Sequence, residues 1–304
     1  MPDNKTNNKT NIVVFGKNGQ VASDLLKIFA KKTNFLIQNY GSKDVDFCDL
    51  EKLNNFLLSL PKLDFIINAT AYNNVDLAED ESGQADLINN QAVAILANFC
   101  TQNNIKLIHY STNYIFDGKS KKPYEEDNVG NLKPLGVYGL SKLKGENAII
   151  KSGCEYLIFR TATVFSAQGN NFVAKISSLA QKNKVLKIVD DQITNPTSSY
   201  DIAFYTIQII EQITNNNFKS GIYNLVGKTP VSYYQFACKI IEKLRTGNIK
   251  IKTQEIIPVD SSEFPAKAQR PKNGALNVNK IEKDFGLEIR NWEEALNKII
   301  TRND

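Results

Sequence analysis

Histidine is almost absent from this chain of 304 residues, because His109 is the only one. A metal site built from several histidines and a catalytic pair of histidines are therefore excluded. His109 lies in the apolar run KLIHYS, where we expect a packed core histidine. Cysteine is also scarce, and Cys48, Cys100, Cys154 and Cys238 form no C-x-x-C pair, so we expect reduced and mostly buried thiols.

Long hydrophobic runs are missing as well. No stretch reaches the roughly 18 apolar residues of a membrane span, and the polar start MPDNKTNNKT has no apolar segment typical of an export signal. We therefore expect a soluble, cytoplasmic protein with no membrane partner. The net charge of +5 is small and the basic residues are dispersed, which argues against a nucleic-acid partner but suits an anionic small molecule.

Short apolar runs alternate with longer amphipathic stretches from Asn11 onward, the pattern that crossover connections give to a parallel sheet. The predicted strands are residues 12–15, 35–40, 65–68, 106–110 and 156–160. The predicted helices are residues 21–32, 51–59, 84–102 and 138–151. This order predicts an α/β fold with a Rossmann-type, doubly wound parallel sheet.

The sequence pattern changes after about Ser166. The features that follow are a Gly/Asn patch, a proline-containing loop at 195–199, an apolar run at 222–226 and late helices from Ser232 and Trp292. We expect a smaller C-terminal substrate-binding portion that is interleaved with the last strands of the main sheet. The predicted division is a polar tail at 1–10, a dinucleotide-binding domain at 11–165 and a mainly substrate-binding portion at 166–304.

A glycine-rich turn, GKNGQVA, joins the first predicted strand to the first predicted helix. Gly16 permits a tight turn, Gly19 lets the backbone approach a pyrophosphate, and Ala22 lets helix and strand pack closely. The free N–H groups of the helix N-terminus favour phosphate. The turn alone is weak evidence, but its place after the first strand of an α/β chain predicts a nicotinamide dinucleotide cofactor.

The end of the second predicted strand, NYGSK, lacks the acidic residue that usually binds the ribose 2′-hydroxyl of NAD. Ser42 and Lys43 could instead receive a 2′-phosphate. We therefore predict a preference for NADPH over NADH.

Tyr138 and Lys142 open a predicted helix and are four residues apart, which places both side chains on the same face. A phenol with a pKa near ~10 is a poor acid at neutral pH unless nearby positive charge lowers the pKa, and the Lys142 ammonium supplies that charge. Ser111 and Thr112 end the strand before this helix, where ligands of open α/β sheets bind. The pair therefore predicts a proton donor and its electrostatic partner.

A set of sequence blocks carries a more specific resemblance. In chain order they are GKNGQVA, NATAYNNVDLAE, HYSTNYIFDG, PLGVYGLSKLKGE, IFRTATVF, NNFV, DQITNPT and EFPAKAQRPKN. Their order and spacing, from Ile12 to about Leu296, resemble dTDP-4-dehydrorhamnose reductases of the extended short-chain dehydrogenase/reductase superfamily.

The resemblance implies roles for particular residues. It implies a catalytic triad of Thr112, Tyr138 and Lys142. The residues implied to bind the dinucleotide are Gly16, Gly19, Gln20, Val21, Asp46, Phe47, Ala71, Tyr72, Asn73, Tyr138 and Lys142. The residues implied to face the nucleotide sugar are Thr112, Asn113, Thr163, Lys267 and Arg270.

Three departures from the family pattern lie on the sugar side. Asn113 replaces an aspartate, Thr163 replaces a tryptophan, and Thr194 and Asn195 stand where the family usually includes glycine. The resemblance also admits a homodimer and Mg²⁺ at a subunit interface, but Asp24 alone at the corresponding helix position is too little to predict a metal site.

The expected activity is NAD(P)H-dependent reduction of a nucleotide-linked 4-keto-6-deoxyhexose, most simply dTDP-4-dehydro-L-rhamnose to dTDP-L-rhamnose. Three alternatives stay open: a sibling reductase of a UDP-linked deoxy amino sugar, a 4-epimerase, and a non-catalytic NADP-binding subunit like the regulatory subunit of methionine adenosyltransferase. Net NADPH consumption separates a reductase from the last two.

Overall fold

The computed structural model describes residues 9–213 and 218–301, so residues 1–8 of the predicted polar tail lie outside the described part. The strands are β1 (Thr10–Phe15), β2 (Phe35–Tyr40), β3 (Phe65–Asn68), β4 (Lys106–Thr112), β5 (Tyr156–Thr161), β6 (Val164–Phe165), β7 (Val185–Val189), β8 (Ile193–Thr194), β9 (Thr197–Ser198), β10 (Gly221–Asn224), β11 (Val231–Ser232) and β12 (Glu255–Val259). The α-helices are α1 (Gln20–Phe29), α2 (Leu50–Leu58), α3 (Ser82–Asp86), α4 (Ala92–Asn103), α5 (Val137–Ser152), α6 (Phe172–Lys182), α7 (Ser199–Ile213), α8 (Tyr233–Thr246), α9 (Asn279–Phe285) and α10 (Trp292–Thr301).

The central sheet has six parallel strands in the order β10-β5-β4-β3-β1-β2. Ile12 of β1 lies opposite Ile37 of β2 and Phe65 of β3. The chain leaves β1 toward one side to form β2 and then returns to form β3 on the other side. This reversal creates a crevice at the carboxyl end of β1, where open α/β sheets bind ligands. The predicted Rossmann-type parallel sheet is confirmed.

Helices cover both faces of this sheet, which is why the inner strands β1, β3, β4 and β5 are largely continuous apolar runs instead of alternating ones. On one face, Leu25 of α1 and Ile209 of α7 are buried against β1, β3 and β5. On the other face, Leu53 of α2, Leu96 of α4 and Ile149 of α5 form a second buried cluster. The site-bearing helices α1 and α5 are thereby fixed on opposite faces of the sheet.

A third buried cluster lies in the C-terminal half, among α6, α8, α10 and the paired strands β7 and β12. Its centre is Trp292, which packs edge to face against Phe236 with ring centroids 5.0 Å apart. The indole N–H donates to the Thr229 carbonyl at 3.0 Å. Strand β10 from this half of the chain joins β5 in the central sheet, so the two portions are interleaved, and a boundary near residue 165 stays a proposal.

His109 and the four cysteines differ in how far they are buried. His109 is completely buried in β4, as expected for a core histidine. The four cysteines are free thiols, but only Cys100 and Cys154 are buried, whereas Cys48 and Cys238 are partly exposed. No helix in the described ranges is long and apolar enough to cross a membrane.

Candidate active site

The carboxyl ends of β1, β3 and β4 lie side by side at one edge of the sheet, and the predicted functional residues follow them directly. Gly16 follows β1, the loop with Ala71, Tyr72 and Asn73 follows β3, and Thr112 ends β4. Parallel strands bring their carboxyl ends to the same edge. Residues that are about 100 positions apart in the chain therefore share one crevice.

The glycine turn after β1 has the geometry that its sequence predicts. Gly16 has φ +87°, and a Cβ atom there would lie 2.7 Å from the backbone carbonyl of Ala69. The Gly19 N–H donates to the Gly16 carbonyl at 2.8 Å, which closes the turn. Helix α1 begins at Gln20, and its N-cap Gly19 supplies no side-chain hydrogen bond. The first N–H groups of α1 therefore fit a pyrophosphate.

Gln20 and Val21 are the first two residues of α1. The Gln20 Oε1 atom accepts hydrogen bonds from Ser166 Oγ at 2.6 Å and Asn171 Nδ2 at 3.1 Å. These bonds connect the start of α1 to the loop before α6. Val21 packs against the buried cluster of α1 and α7. Of these two side chains, Gln20 is the one that is placed at the crevice.

The loop after β2 contains an acid that the sequence interpretation missed. Asp44 Oδ2 accepts a hydrogen bond from the Gly41 N–H at 2.7 Å and lies 2.6 Å from Lys17 Nζ of the glycine turn. The hydrogen bond from Lys17 holds the pKa of Asp44 below its usual value. Ser42 and Lys43 are exposed beside it. The end of β2 therefore carries a paired acid as well as the basic residue that was expected to favour NADPH.

Asp46 and Phe47 lie just beyond this loop. The Asp46 carboxylate accepts a hydrogen bond from the Cys48 N–H at 2.8 Å. The Phe47 side chain is buried and packs edge to face on Phe15, with ring centroids 5.4 Å apart. Because its ring belongs to the core, the part of Phe47 that could face a dinucleotide is its backbone.

Asn89 fixes the loop after β3 and was not predicted as a site residue. Its Oδ1 accepts from the Tyr72 N–H at 2.9 Å, and its Nδ2 donates to the Tyr72 carbonyl at 2.9 Å and to Ser141 Oγ at 3.0 Å. Asn89 lies in a π-helical turn, Leu87–Gln91, that interrupts the helix predicted over 84–102. Such turns are frequent at functional sites. Asn89 is fully buried, and because its partners are distant in sequence, no local sequence pattern indicated this role.

The Thr112 and Tyr138 side chains meet at the end of β4. The Tyr138 hydroxyl lies near Thr112, whose Oγ1 accepts from the Tyr114 N–H at 3.2 Å. The pKa of Tyr138 is raised by burial, and the hydrogen bond with Thr112 partly offsets this effect. The neighbouring Ser111 Oγ is buried and has no hydrogen-bond partner among the described residues. The strand end therefore presents hydroxyl groups that suit a polar ligand.

Lys142 lies one helical turn after Tyr138 but extends its amine inward. Its Nζ atom lies 3.0 Å from His109 Nε2 and donates to the Tyr110 carbonyl at 2.6 Å. Burial lowers the pKa of Lys142 to about 8, against an opposing effect of Glu146. The buried amine needs hydrogen-bond partners and finds them on β4. That the Lys142 ammonium lowers the pKa of Tyr138 stays a prediction.

The predicted sugar-side residues surround the same crevice. Asn113 Nδ2 donates to the Gly274 carbonyl at 2.8 Å. Thr163 has φ +38°, which is rare for a β-branched residue, and its Oγ1 lies 2.7 Å from Thr194 Oγ1 and 3.1 Å from the Tyr233 hydroxyl. These contacts connect the hydroxyl groups of Thr163, Thr194 and Tyr233, where the tryptophan of the family pattern would give an apolar surface.

The loop with Lys267 and Arg270 reaches the crevice from the C-terminal half. Arg270 Nη2 donates to Asp76 Oδ2 at 2.8 Å, and Arg270 also contacts the Tyr114 hydroxyl. Lys267 forms an ion pair with Asp80. Both cations are therefore paired with carboxylates of the segment that follows β3. The ion pair of Arg270 is the more buried of the two, because the Lys267 and Asp80 side chains are both about half exposed.

Comparison with known proteins agrees with this geometry. The family model described as RmlD substrate binding domain matches residues 10–304. The dTDP-4-dehydrorhamnose reductase of Salmonella typhimurium strain LT2 is 33% identical over 294 residues, which cover 96% of this chain and 97% of that protein. The dTDP-4-dehydrorhamnose reductase of Sinorhizobium fredii is 34% identical over 296 residues, 95% of this chain and 96% of that protein. This chain belongs to the dTDP-4-dehydrorhamnose reductase family.

Solved structures of that family superpose over nearly the whole chain. The dTDP-4-dehydrorhamnose reductase of Clostridium acetobutylicum has a TM-score of 0.87 and 30% identity, covering 96% of this chain and 98% of that chain. The enzyme of Bacillus anthracis, in complex with NADP, has a TM-score of 0.85 and 28% identity with the same coverage. The dTDP-4-dehydrorhamnose reductase family therefore accounts for both the sheet and the C-terminal portion.

Asp24, the acidic residue at the helix position considered for Mg²⁺, already has partners within the chain. Asp24 of α1 accepts from Ser199 Oγ at 2.6 Å and pairs with Lys27 at 3.0 Å. Within 9–213 and 218–301, no group of three or more His, Cys, Asp or Glu residues could hold a metal ion. These residues do not fit a resident Mg²⁺ within one copy of the chain.

Proposed function

We propose that this protein reduces the 4-keto group of a nucleotide-linked 6-deoxyhexose with NADPH, and that it converts dTDP-4-dehydro-L-rhamnose to dTDP-L-rhamnose. The observation that supports this most directly is the contact between the Thr112 and Tyr138 hydroxyls at the carboxyl end of β4. The glycine turn after β1 lies at the same edge of the sheet. Membership of the reductase family supports the choice of sugar.

The proposed chemistry is hydride transfer to C4 of the sugar, with the hydride supplied by the reduced nicotinamide. Tyr138 donates its proton to the carbonyl oxygen, which becomes negative as the hydride arrives. Thr112 orients the same oxygen through its hydroxyl group. The Tyr138 phenol is protonated at neutral pH, which is the form that an acid requires, but its raised pKa makes the proton harder to release until the substrate oxygen becomes negative. Lys142 is the third proposed catalytic residue, and its amine is buried one helical turn after Tyr138.

The proposed dinucleotide site combines backbone and side-chain groups. The first N–H groups of α1 would hold the pyrophosphate. Gly16 and Gly19 shape the turn that presents them, because φ and close packing at Gly16 leave room for nothing larger than glycine. The loops after β2 and β3 would line the adenosine and nicotinamide halves. Lys43 and Lys17 support a 2′-phosphate, although Asp44 already neutralises part of the Lys17 charge.

The proposed sugar side consists of residues that border Tyr138 and Tyr114. Arg270 contacts the Tyr114 hydroxyl, and the Tyr114 and Tyr138 rings are 5.7 Å apart, so Arg270 is near enough to bind a diphosphate. Asn113 and Thr163 would contact the sugar or the base. Lys267 is half exposed and would act only after leaving Asp80.

The decisive experiment measures NADPH oxidation after dTDP-4-dehydro-L-rhamnose is added, followed by identification of the product. We expect dTDP-L-rhamnose and one NADPH consumed per product. Tyr138→Phe should lower kcat by about 100- to 10,000-fold while NADPH still binds. Tyr200→Phe is the matched control, because Tyr200 is 48% exposed on α7, and it should leave kcat unchanged.

Other outcomes would contradict the proposal in distinct ways. Turnover of a UDP-linked amino sugar alone would make the protein a sibling reductase, a result that the hydroxyl groups around Thr163 could accommodate. Interconversion of epimers without NADPH consumption would indicate a 4-epimerase. NADP binding without turnover of either sugar would indicate a binding subunit. A cytoplasmic location and a homodimer stay predictions.

A further inference from the structure

A chain of fully buried polar side chains runs from β3 through β4 to α5. Asn68 Nδ2 lies 3.1 Å from His109 Nδ1, and His109 Nε2 lies 3.0 Å from Lys142 Nζ. Asn68 and Lys142 are each 1% exposed and His109 is 0% exposed. At such burial each hydrogen bond needs both a donor and an acceptor, because an unmatched pair is costly.

The orientation of Asn68 is fixed by its other partner. Asn68 Oδ1 accepts a hydrogen bond from the Thr70 N–H at 3.0 Å, so the amide nitrogen is the atom that faces His109. An amide nitrogen only donates, and therefore His109 Nδ1 must accept. Burial is the larger cause that holds the pKa of His109 well below its usual value, so the ring is neutral and has one proton. That proton must be on Nε2.

The Nε2 proton has a consequence for Lys142. An ammonium group has no lone pair and cannot accept a hydrogen bond, whereas a neutral amine can. The described arrangement is therefore that of a neutral Lys142 amine, which accepts from His109 Nε2 and donates to the Tyr110 carbonyl. If Lys142 is an ammonium, His109 Nε2 must accept instead, so the ring proton must be on Nδ1.

We infer that His109 is a positioning residue for Lys142, and that its ring proton is on Nε2 when Lys142 is neutral and on Nδ1 when Lys142 is charged. The ring keeps one proton in both states, and the additional proton on the amine comes from solvent. The Nδ1 form requires Asn68 to turn its oxygen toward the ring, which breaks the bond from the Thr70 N–H. The charge on Lys142 is thereby coupled to the loop that begins at Thr70.

The other charged and titratable groups around Lys142 do not replace this partner. Glu146 lies one turn farther along α5, but its carboxylate is paired with Arg160 of β5 at 2.8 Å. The Tyr138 hydroxyl lies near Thr112, which acts on its pKa. Because burial lowers the pKa of Lys142 to about 8, both charge states are accessible near neutral pH.

The test uses nitrogen NMR of the full-length protein labelled with ¹⁵N-histidine. His109 is the only histidine in the sequence, so the spectrum contains one imidazole ring. We expect the Nε2–H form at high pH and the Nδ1–H form at low pH, with a midpoint near the Lys142 pKa of about 8. A ring with the same protonated nitrogen from pH 6 to 10, or an imidazolium ring, would overturn the inference.

Two variants separate this coupling from simple packing. Lys142→Met removes the amine, and the ring should then stay in the Nε2–H form at every pH. Asn68→Asp keeps the acceptor for the Thr70 N–H but offers His109 only an acceptor, so the ring should stay protonated on Nδ1. A pH-dependent exchange of the proton in Lys142→Met would refute the coupling. The proposed function explains only why the charge of Lys142 would matter to the reaction. The NMR measurement requires no turnover, so the inference can fail independently of the proposed function.

Discussion

The tightest backbone approach at the site is at Gly16, and it supports a sharp prediction for Gly16→Ala. The new Cβ atom would lie 2.7 Å from both the carbonyl carbon and the carbonyl oxygen of Ala69 and 2.9 Å from the Thr70 nitrogen. Ordinary van der Waals contact begins at 3.4 Å. All three neighbours are backbone atoms at the end of β3, so none can rotate away. The turn or the strand end must move by about 0.7 Å, the difference between these two distances.

The cost of this change has two parts. Alanine at φ +87° costs about 1–2 kcal/mol because its Cβ crowds the carbonyl, and overpacking against fixed atoms adds about 1–3 kcal/mol. We therefore expect the free energy of unfolding to fall by about 2–5 kcal/mol. Movement of the turn should also cost at least one charged hydrogen bond to the pyrophosphate, about 1.5–3 kcal/mol, which weakens NADPH binding by about 10- to 100-fold.

Gly153→Ala is the matched control, because Gly153 has φ +77° but a Cβ atom there meets nothing within 4 Å. It should lose only the conformational part, about 1–2 kcal/mol, and should bind NADPH normally. Urea unfolding gives the stabilities and NADPH titration gives the affinities. Equal effects of the two substitutions on both quantities would show that the close approach of Ala69 is not what requires glycine at position 16.

Three further predictions concern buried polar groups. The pKa of Lys142 is about 8 in the folded chain and near 10.5 in the unfolded chain, so between those pH values only the unfolded chain holds this proton. The free energy of unfolding should therefore rise in that range by up to about 1.4 kcal/mol per pH unit relative to Lys142→Met. Stabilities of the two proteins that change in parallel with pH in urea unfolding would contradict this. Arg160→Met leaves the 1% exposed Glu146 unpaired and should cost about 3–5 kcal/mol in urea unfolding, more than Lys187→Met in an exposed pair. Thr163→Val should raise KM for the sugar and leave KM for NADPH unchanged in steady-state assays, and the reverse pattern would exclude a sugar-side role.

Most of the main sheet could be predicted because the inner strands β1, β3, β4 and β5 are buried on both faces and appear as largely apolar runs. The run predicted at 222–226 became β10, the edge strand beside β5. The two-residue strands β6, β8, β9 and β11 could not be predicted, since two residues show no hydrophobic period. Their pairing depends on contacts between distant segments, such as Val231 opposite Thr194.

The candidate site was predictable where a residue type and a local spacing carry the chemistry, as at Gly16, Tyr138 and Lys142. Asn89 and Asp44 were missed because their roles come from partners that are distant in sequence or in a loop: Asn89 binds the backbone of Tyr72, and Asp44 pairs with Lys17. No local pattern records such contacts. The same limit applies to Thr163, whose hydroxyl partners come from two other segments.

The relation between Tyr138 and Lys142 also depends on contacts that the local spacing does not record. Four-residue spacing places two Cβ atoms on one helix face, but the direction of a long lysine side chain is decided by where its amine finds acceptors. Here Lys142 Nζ donates to the Tyr110 carbonyl and lies 3.0 Å from His109 Nε2, so the amine extends toward β4, and Thr112 only partly offsets the rise in the Tyr138 pKa that burial causes. A phenol is already protonated at neutral pH, and burial raises the pKa of Tyr138 further, so the proton donor still needs a group that stabilises its phenolate form. The pH dependence of Lys142 then depends on its contact with His109. The position of the His109 ring proton therefore distinguishes a lysine coupled to His109 from a lysine that acts on the Tyr138 phenol.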